Sequence, residues 1–336
     1  MKKKVDISSI IDKLGPIIAV ILLSIILTII TDKFMTLPNW MNLLRQTSIN
    51  AIVSLGMFVV MLTAGIDLSL GAICAFTSCL MGVAMQHGVP VPLLFVIIIG
   101  GGCLGGVLNG VLFTKLDLPH PFISTLGSMM IFNGLALIIT GAKPISGFPK
   151  SITWIGSASI GKFPVCFIAV LIVYVIVGYF LANTVTGKNI YAVGGNDEAA
   201  RLAGVNVKKI QCLTYIIAGA LCGLAALILT GRVGTALPTA GSDYAMDGVA
   251  SCVIGGTSFS GGKGSVSGTL IGALLIQILR NGLNLLGQSS DVQSVVIGAV
   301  IIGAVYMDVV RNKRSAKARR MAQAKAHAES VAKNAQ

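Results

Sequence analysis

The lysine-containing glycine-rich segment Ser258–Gly264 is the first candidate for chemistry, because it superficially resembles a phosphate-binding P-loop. A P-loop carries Ser or Thr directly after its lysine and a glycine at its first position. In this chain Gly264 follows Lys263, and Thr257 occupies the first position. The segment also joins two apolar stretches instead of following a soluble strand. We therefore expect no nucleotide site here.

Residues that could hold a metal or act as nucleophiles are scattered along the chain. The seven cysteines lie in apolar stretches without CxxC spacing, and the three histidines (His87, His120 and His327) are far apart in sequence. The sequence shows no Ser/His/Asp, paired-carboxylate or HExxH pattern. We expect the chain itself to be no enzyme, with no catalytic or metal site, no cofactor-binding residues and no cofactor of its own.

Ionisable residues are few within the apolar stretches, where they would be costly in a bilayer and usually functional. Asp67 links two apolar stretches, whereas Asp247 and Arg280 lie near the ends of two others. No series of Asp, Glu or His runs through these stretches, which argues against a proton-coupled or ion-coupled carrier.

Neutral polar residues also occur in the apolar stretches, at Asn109, Ser124, Thr125, Asn133, Gln277, Asn281 and Asn284. They either line a path for a hydroxyl-rich solute or form hydrogen bonds between helices. Our candidate pathway or gating residues are Asp67, Ser69, Asn109, Asn133, Ser258, Ser260, Asn281 and Asn284.

The polar stretch 183–209 is too long and too rich in sequence signals for a simple linker. Asn196 or Asp197 can cap a short helix that ends at Gly204. Glu198 lies favourably in the first turn, at the positive end of the helix dipole. A helix of this size is unstable alone, so it needs a partner surface, either on a cytoplasmic protein or on its own bundle.

The elements that position all of these residues are predicted to be membrane-spanning helices. The chain has 336 residues, 54% of them hydrophobic and only 11% charged, with a mean hydropathy of +0.87. A soluble domain carries about 25% charged residues. The net charge of +13 comes from basic residues that flank apolar stretches, whereas nucleic-acid binding needs a basic face on a folded domain. We expect an all-α polytopic membrane protein.

Ten segments are apolar and long enough to be candidate spans, at 14–31, 49–66, 68–86, 93–113, 121–140, 163–182, 210–230, 246–262, 266–287 and 292–310. An even number puts both termini on one side, and the positive-inside rule makes that side the cytoplasm. We therefore expect a cytoplasmic N-terminus at 1–13, a transmembrane domain at 14–310 with a cytoplasmic loop at 183–209, and a basic cytoplasmic tail at 311–336. The tail is either a helix on the inner leaflet or a solvated flank.

Glycines at four-residue spacing predict close packing between helices, since small residues let backbones approach in lipid. We call each such row of glycines on one helix face a glycine ridge. The ridges are Gly102, Gly106 and Gly110; Gly264, Gly268 and Gly272; and Gly219 with Gly223. The segments 65–71 and 255–261 also echo each other at an offset of 190 residues, and each joins two apolar stretches. This echo marks either an internal repeat or a chance match in a glycine-rich chain.

Several motifs, taken together and in order, resemble those of the ribose/xylose/galactoside-type ABC permease family. They are Gly65–Gly71, Asn189–Asn196, Glu198–Gly204, Gly255–Gly264, Gly268–Gly272 and Asn281–Gly287, the last being closest to the ribose members. Pro144–Phe148 looks more like the galactoside members. The resemblance extends over residues 40–310.

The resemblance implies a membrane subunit of a monosaccharide importer in the bacterial inner membrane. Two permease copies, which we expect to be identical, would form the pathway and contact no nucleic acid. A separate cytoplasmic ATPase would drive transport, and an extracytoplasmic sugar-binding protein would deliver the solute. The residues expected to dock into the ATPase are Gly194, Gly195, Asn196, Asp197, Glu198, Ala199, Ala200, Arg201 and Gly204.

Two departures from the family pattern stand out. Arg280 puts a charge where the ribose permeases carry Asn, and the basic tail is longer than expected. Two other interpretations remain: a stand-alone secondary solute carrier, and a membrane scaffold or receptor that transports nothing.

Overall fold

The structure is a computed structural model that describes residues 7–116, 118, 120–306 and 309–310. The basic tail at 311–336 and the first six residues of the expected cytoplasmic N-terminus lie outside the described residues. Backbone alone is described for 7–14.

The described chain is almost entirely helical. Its helices are α1 (Ile7–Ile30), α2 (Leu37–Met61), α3 (Leu70–Gln86), α4 (Val91–Lys115), α5 (Pro121–Thr140), α6 (Lys150–Ser157), α7 (Val165–Asn183), α8 (Val185–Gly195), α9 (Asp197–Leu202), α10 (Val207–Val233), α11 (Tyr244–Ile254), α12 (Val266–Leu285) and α13 (Ser290–Tyr306). Two minimal antiparallel pairs complete it: β1 (Ile145–Ser146) with β4 (Thr235–Ala236), and β2 (Ser159–Ile160) with β3 (Phe163–Pro164).

Each of the ten predicted spans overlaps an apolar helix. Six helices (α2, α4, α5, α7, α10 and α12) are long and apolar enough to cross a membrane, and four apolar helices are shorter, at Gly15–Ile30, α3, α11 and α13. The chain is thus a polytopic helical membrane protein. The number of crossings and the side of the termini stay predictions.

Two predicted spans were wrong at their ends. The second begins at Leu37 and stops at Met61, so that residues 62–69 form a loop, and the eighth stops at Ile254, so that 255–265 form another. Backbone geometry explains both stops. Ala64 and Gly256 adopt left-handed conformations with φ of 58° and 86°, which is how many helices terminate. We call these segments the first loop (62–69) and the second loop (255–265).

The glycine ridges pack helix against helix, as predicted. A Cβ on Gly102 would collide with the carbonyl oxygen of Gly219, and one on Gly106 with that of Tyr215, so α4 and α10 touch backbone to backbone. Gly268 and Gly272 press in the same way on Gly255 and Ser251, which joins α12 to α11. Such close approach is the main source of helix association in lipid.

The helix α2 lies at the centre of the bundle, with every residue from Thr47 to Met61 buried. The outer faces of α1, α4, α5 and α7 instead expose large apolar side chains, as lipid contact requires. The bundle has two ends. One carries α9, and we call it the α9 end. The other carries α6, the start of α2 and the end of α12, and we call it the distal end.

Candidate functional site

Helix α9 has the features expected of a docking helix. The Asn196 side chain caps it by accepting a hydrogen bond from the backbone N–H of Ala199 at 2.8 Å. At its other end, Gly204 is left-handed (φ 85°), and the N–H of Val205 donates to the carbonyl of Ala200 at 3.0 Å. The short helix predicted from the sequence is therefore confirmed, including its cap and its stop.

No other described residue covers the outer surface of α9. Ala200 is buried against the bundle, but Leu202 is 82% exposed, and Glu198 and Arg201 form an exposed ion pair at 3.2 Å. Helix α9, which is too short to be stable alone, therefore packs on its own bundle through Ala200 and presents an apolar side chain and an ion pair on its outer surface.

The sequence did not predict helix α8, which connects α7 to α9. Thr184 caps it by accepting a hydrogen bond from the Gly187 N–H at 3.0 Å. Tyr191 donates a hydrogen bond from its hydroxyl to the Gly264 carbonyl at 3.4 Å, and burial raises the pKa of this phenol. The hydroxyl therefore remains a neutral donor that ties α8 to the second loop.

Three backbone segments meet where α8 ends, in a contact that we call the glycine junction (Leu62, Gly194, Gly195, Gly261 and Gly262). The Gly262 N–H donates to the Leu62 carbonyl at 2.9 Å. A Cβ on Gly194 would overlap that same carbonyl and lie 2.6 Å from the Gly262 nitrogen. A Cβ on Gly262 would lie 2.7 Å from the Gly195 Cα. The end of α8 therefore contacts both the first and the second loop backbone to backbone.

The first loop carries a buried carboxylate. Asp67 is fully buried and accepts hydrogen bonds from the Ser69 hydroxyl at 2.6 Å and the Ser69 N–H at 2.9 Å. The Asn109 side-chain amide of α4 donates to both Asp67 oxygens, at 3.2 and 3.1 Å. These three candidate residues thus form one cluster, which fixes the first loop to α4.

The remaining candidate residues lie in different places. Ser258 and Ser260 belong to the second loop, and Ser260 lines a cavity of about 350 Å³ with Gly194 and Asp197. Asn281 exchanges two side-chain hydrogen bonds with Asn39, at 3.0 and 2.8 Å, near the distal end. The structure therefore does not bring the candidate pathway residues together into a single site.

Two further candidates also lie apart from the Asp67 cluster. Asn284 accepts a hydrogen bond from Gln293 at 2.8 Å. Asn133 is exposed on the outer face of α5.

A polar cavity in the distal half of the bundle was missed by sequence reasoning. Arg280 donates to both oxygens of Asp247, from Nε at 3.0 Å and from Nη2 at 2.8 Å, and Asn50 and Gln46 line the same space. A signal existed, because Asp247 and Arg280 were predicted at neighbouring ends of consecutive spans, where antiparallel helices would bring them together. Asn50 gave no such signal.

A bundle of apolar helices, with large apolar side chains exposed on its outer faces and a capped helix at one end, defines a multi-pass membrane protein. The sequence profile of the family described as branched-chain amino acid transport system/permease component matches residues 39–305. The chain belongs to this permease family. The resemblance to ribose/xylose/galactoside-type permeases that its motifs predicted is confirmed by the relatives described next. It is a multi-pass protein of the bacterial inner membrane.

Curated relatives match over nearly the whole chain. The ribose import permease protein of Bacillus subtilis (strain 168) is 42% identical over 91% of this chain and 96% of its own length. The D-allose transport system permease protein of Escherichia coli (strain K12) is 39% identical over 90% and 93%. The galactose/methyl galactoside import permease protein of the same strain is 33% identical over 90% and 96%. No solved structure matches the chain.

Proposed function

We propose that this chain is the membrane-spanning permease subunit of an ATP-driven importer for a monosaccharide such as ribose or galactose. The observation that carries the proposal is the capped, uncovered helix α9, joined by the glycine junction to two loops inside the bundle. The substrate class is supported by the relatives, which are permeases for ribose, D-allose and galactose or methyl galactoside.

In this mechanism, a cytoplasmic ATPase binds the exposed surface of α9. Closure of the ATPase on ATP pushes α9 and α8, and the push reaches the first and second loops through the glycine junction. Backbone-to-backbone contact suits this role, because there is no flexible side chain to absorb the movement. The loops then shift the ends of α2 and α11, and access changes from the distal end to the α9 end.

A second copy of the chain completes the pathway in this proposal. Asn133 is exposed on α5, a helix that is apolar and long enough to span a membrane. An amide facing lipid is unfavourable, so such residues usually face a partner. Gly127 and Gly134 lie on the same helix with open space beside them, where another backbone can approach closely. A sugar-binding protein would deliver the solute at the distal end.

The proposal is tested by identifying what co-purifies with the tagged full chain from membranes of its native host. We expect an ATPase subunit of the ABC type. Glu198→Lys should strongly reduce its recovery, because Glu198 is exposed in α9 and paired with Arg201.

The matched control is Asp291→Lys, which makes the same change of charge at an exposed residue of α13. It should leave ATPase recovery unchanged. Recovery of the chain alone, from membranes that contain such an ATPase, would contradict the proposal and favour a stand-alone carrier or a scaffold.

A further inference from the structure

A small cavity lies between the first half of α2, the end of α10, the start of α11 and the second half of α12. Its volume is about 200 Å³, which is room for a small solute rather than a single water molecule. It opens at Ser242 and Asp243, which are exposed, and its wall includes Gln277 and Asn50, which are buried. Along α2, the cavity residue Gln46 lies about 24 Å from Leu62 in the glycine junction.

The buried wall of this cavity contains an unpaired amide. Asn50 is 1% exposed, and its Nδ2 has no hydrogen-bond partner among the described residues. A buried donor without a partner is unfavourable and calls for an explanation. The weak bond that its Oδ1 accepts from Ser54 at 3.4 Å does not use the amide hydrogens. A ligand hydroxyl in the cavity would supply the acceptor that this donor lacks.

The charges around the cavity balance. Its lining includes two arginines, Arg232 and Arg280, and two aspartates, Asp243 and Asp247. Arg280 is bound to both aspartates, with its Nη2 at 2.8 Å from Asp247 and 3.6 Å from Asp243. Such a lining offers both donors and acceptors without net charge. A hydroxyl group both donates and accepts, so a neutral polyol matches this lining better than an anion or a cation does.

We propose that this cavity is a low-affinity binding site for a neutral polyhydroxylated solute of monosaccharide size, held by Asn50 and the Arg280–Asp247 pair, with Gln46 and Gln277 in the surrounding wall. The inference rests on the proposed function, for which it supplies a site where the solute pauses in the distal half of the bundle. Low affinity is expected, because a solute in transit must also leave.

The site is tested by thiol labelling of a Gln46→Cys variant of the full chain in membrane vesicles, without the ATPase. Gln46 is half-buried in the cavity wall. We expect D-ribose, D-allose or D-galactose at millimolar concentration to slow labelling by a factor of 1 + [L]/Kd, about tenfold when the sugar is at ten times its Kd. D-Gluconate, a sugar acid, should not slow the labelling. Leu202→Cys, exposed in α9, is the control and should label at the same rate with and without sugar.

Asn50→Leu separates binding from packing. Leucine has a similar volume and removes the unpaired donor, so folding should be retained or improved. In the Gln46→Cys background this change should abolish the protection by sugar. Protection that survives Asn50→Leu would exclude Asn50 from the site.

The outcomes separate this inference from the proposed function. The highest usable sugar concentration is the one at which labelling of Leu202→Cys is still unchanged. If sugar at that concentration does not slow labelling of Gln46→Cys, the proposed site is wrong, even if the parent transporter still takes up sugar. Protection without any ATP-driven uptake would instead overturn the proposed function and leave the site standing. Gln277→Cys is the second reporter should Gln46→Cys fail to reach the membrane.

Discussion

Gly194 has no room for any side chain, although it lies near the surface at the end of α8. A Cβ there would overlap the Leu62 carbonyl, whereas a Cβ on its neighbour Gly195 would meet nothing within 4 Å. The two glycines are neighbours in sequence, yet only Gly194 lies tightly against Leu62 of the first loop. Glycine at position 194 is therefore required by close approach.

Gly194→Ala should separate α8 from the first loop and uncouple transport. The overlap with backbone atoms cannot be relieved by a side-chain rotation, so we expect a loss of about 1–3 kcal/mol in stability. ATP-driven sugar uptake should fall more than the amount of chain in the membrane. Uptake per copy in vesicles, together with the thermal midpoint of the purified chain, measures both effects.

Gly195→Ala is the matched control and should retain uptake and stability. Equal behaviour of the two variants would show that the glycine junction is not the route of coupling.

Arg280 forms an ion pair with a buried carboxylate, so removing Arg280 alone should lower the stability of the chain. Asp247 is 2% exposed, and Arg280→Ala would leave it without its bidentate partner. Breaking a buried pair from one side costs about 3–5 kcal/mol. We therefore expect Arg280→Ala to lower the thermal midpoint of the purified chain sharply.

The double variant Asp247→Leu with Arg280→Leu should recover most of that loss, because no charge is then left unpaired. Sugar should still fail to slow thiol labelling of the cavity in this double variant. A single variant as stable as the parent chain would mean that the pair does not hold α11 against α12.

At the scale of elements, α9 depends on its cap more than a long helix would. It has only six residues, and Asn196 supplies the side-chain oxygen for an otherwise unpaired backbone donor. Asn196→Ala should cost about 1 kcal/mol of local helix stability and weaken ATP-driven uptake. Hydrogen exchange in 197–203 should become faster, while exchange in α10 stays unchanged.

Asn196→Asp and Asn196→Ser should restore both uptake and protection from exchange, since either side chain can cap the helix. Exchange in α9 that is unaffected by Asn196→Ala would show that the partner or the bundle, rather than the cap, keeps the helix folded.

The sequence allowed the apolar helices of the described residues and the ends of α9 to be predicted, because these depend on local signals. Apolar runs located all ten apolar helices, and Asn196 and Gly204 marked where α9 begins and ends. The same runs misplaced the ends of two spans, since apolar residues such as Leu62 and Ile66 continue past Met61, where α2 ends. Local composition cannot distinguish an apolar helix from an apolar loop buried in the same bundle.

Contacts between segments that are distant in sequence could not be predicted from sequence patterns. The Asp67 cluster joins residues 42 apart in the chain, Asp67 and Asn109, and Asn39 bonds Asn281 from 242 residues away. The unpaired amide of Asn50 depends on four helices at once. Only packing in three dimensions shows that this amide lies in a cavity.

At the scale of the whole molecule, the two ends of the bundle have different roles in this account. The α9 end presents a helix for a partner and the junction that links it to the bundle. The distal half holds a neutral polar cavity. Helix α2 connects the two, because it lines the cavity at Gln46 and ends at the glycine junction. ATP supplied at the α9 end should therefore drive the movement of a sugar that enters from the distal end.

Uptake of labelled D-ribose, D-allose and D-galactose into vesicles tests this claim most directly. The vesicles contain the full chain with its ATPase, the sugar-binding protein is outside, and ATP is supplied inside or outside in separate samples. We expect uptake of at least one of these sugars, only with ATP on the α9 side and only with the ATPase present. We also expect this uptake to be lost in Glu198→Lys and retained in Asp291→Lys. Uptake by the chain alone, driven by an ion gradient and indifferent to ATP, would contradict this claim.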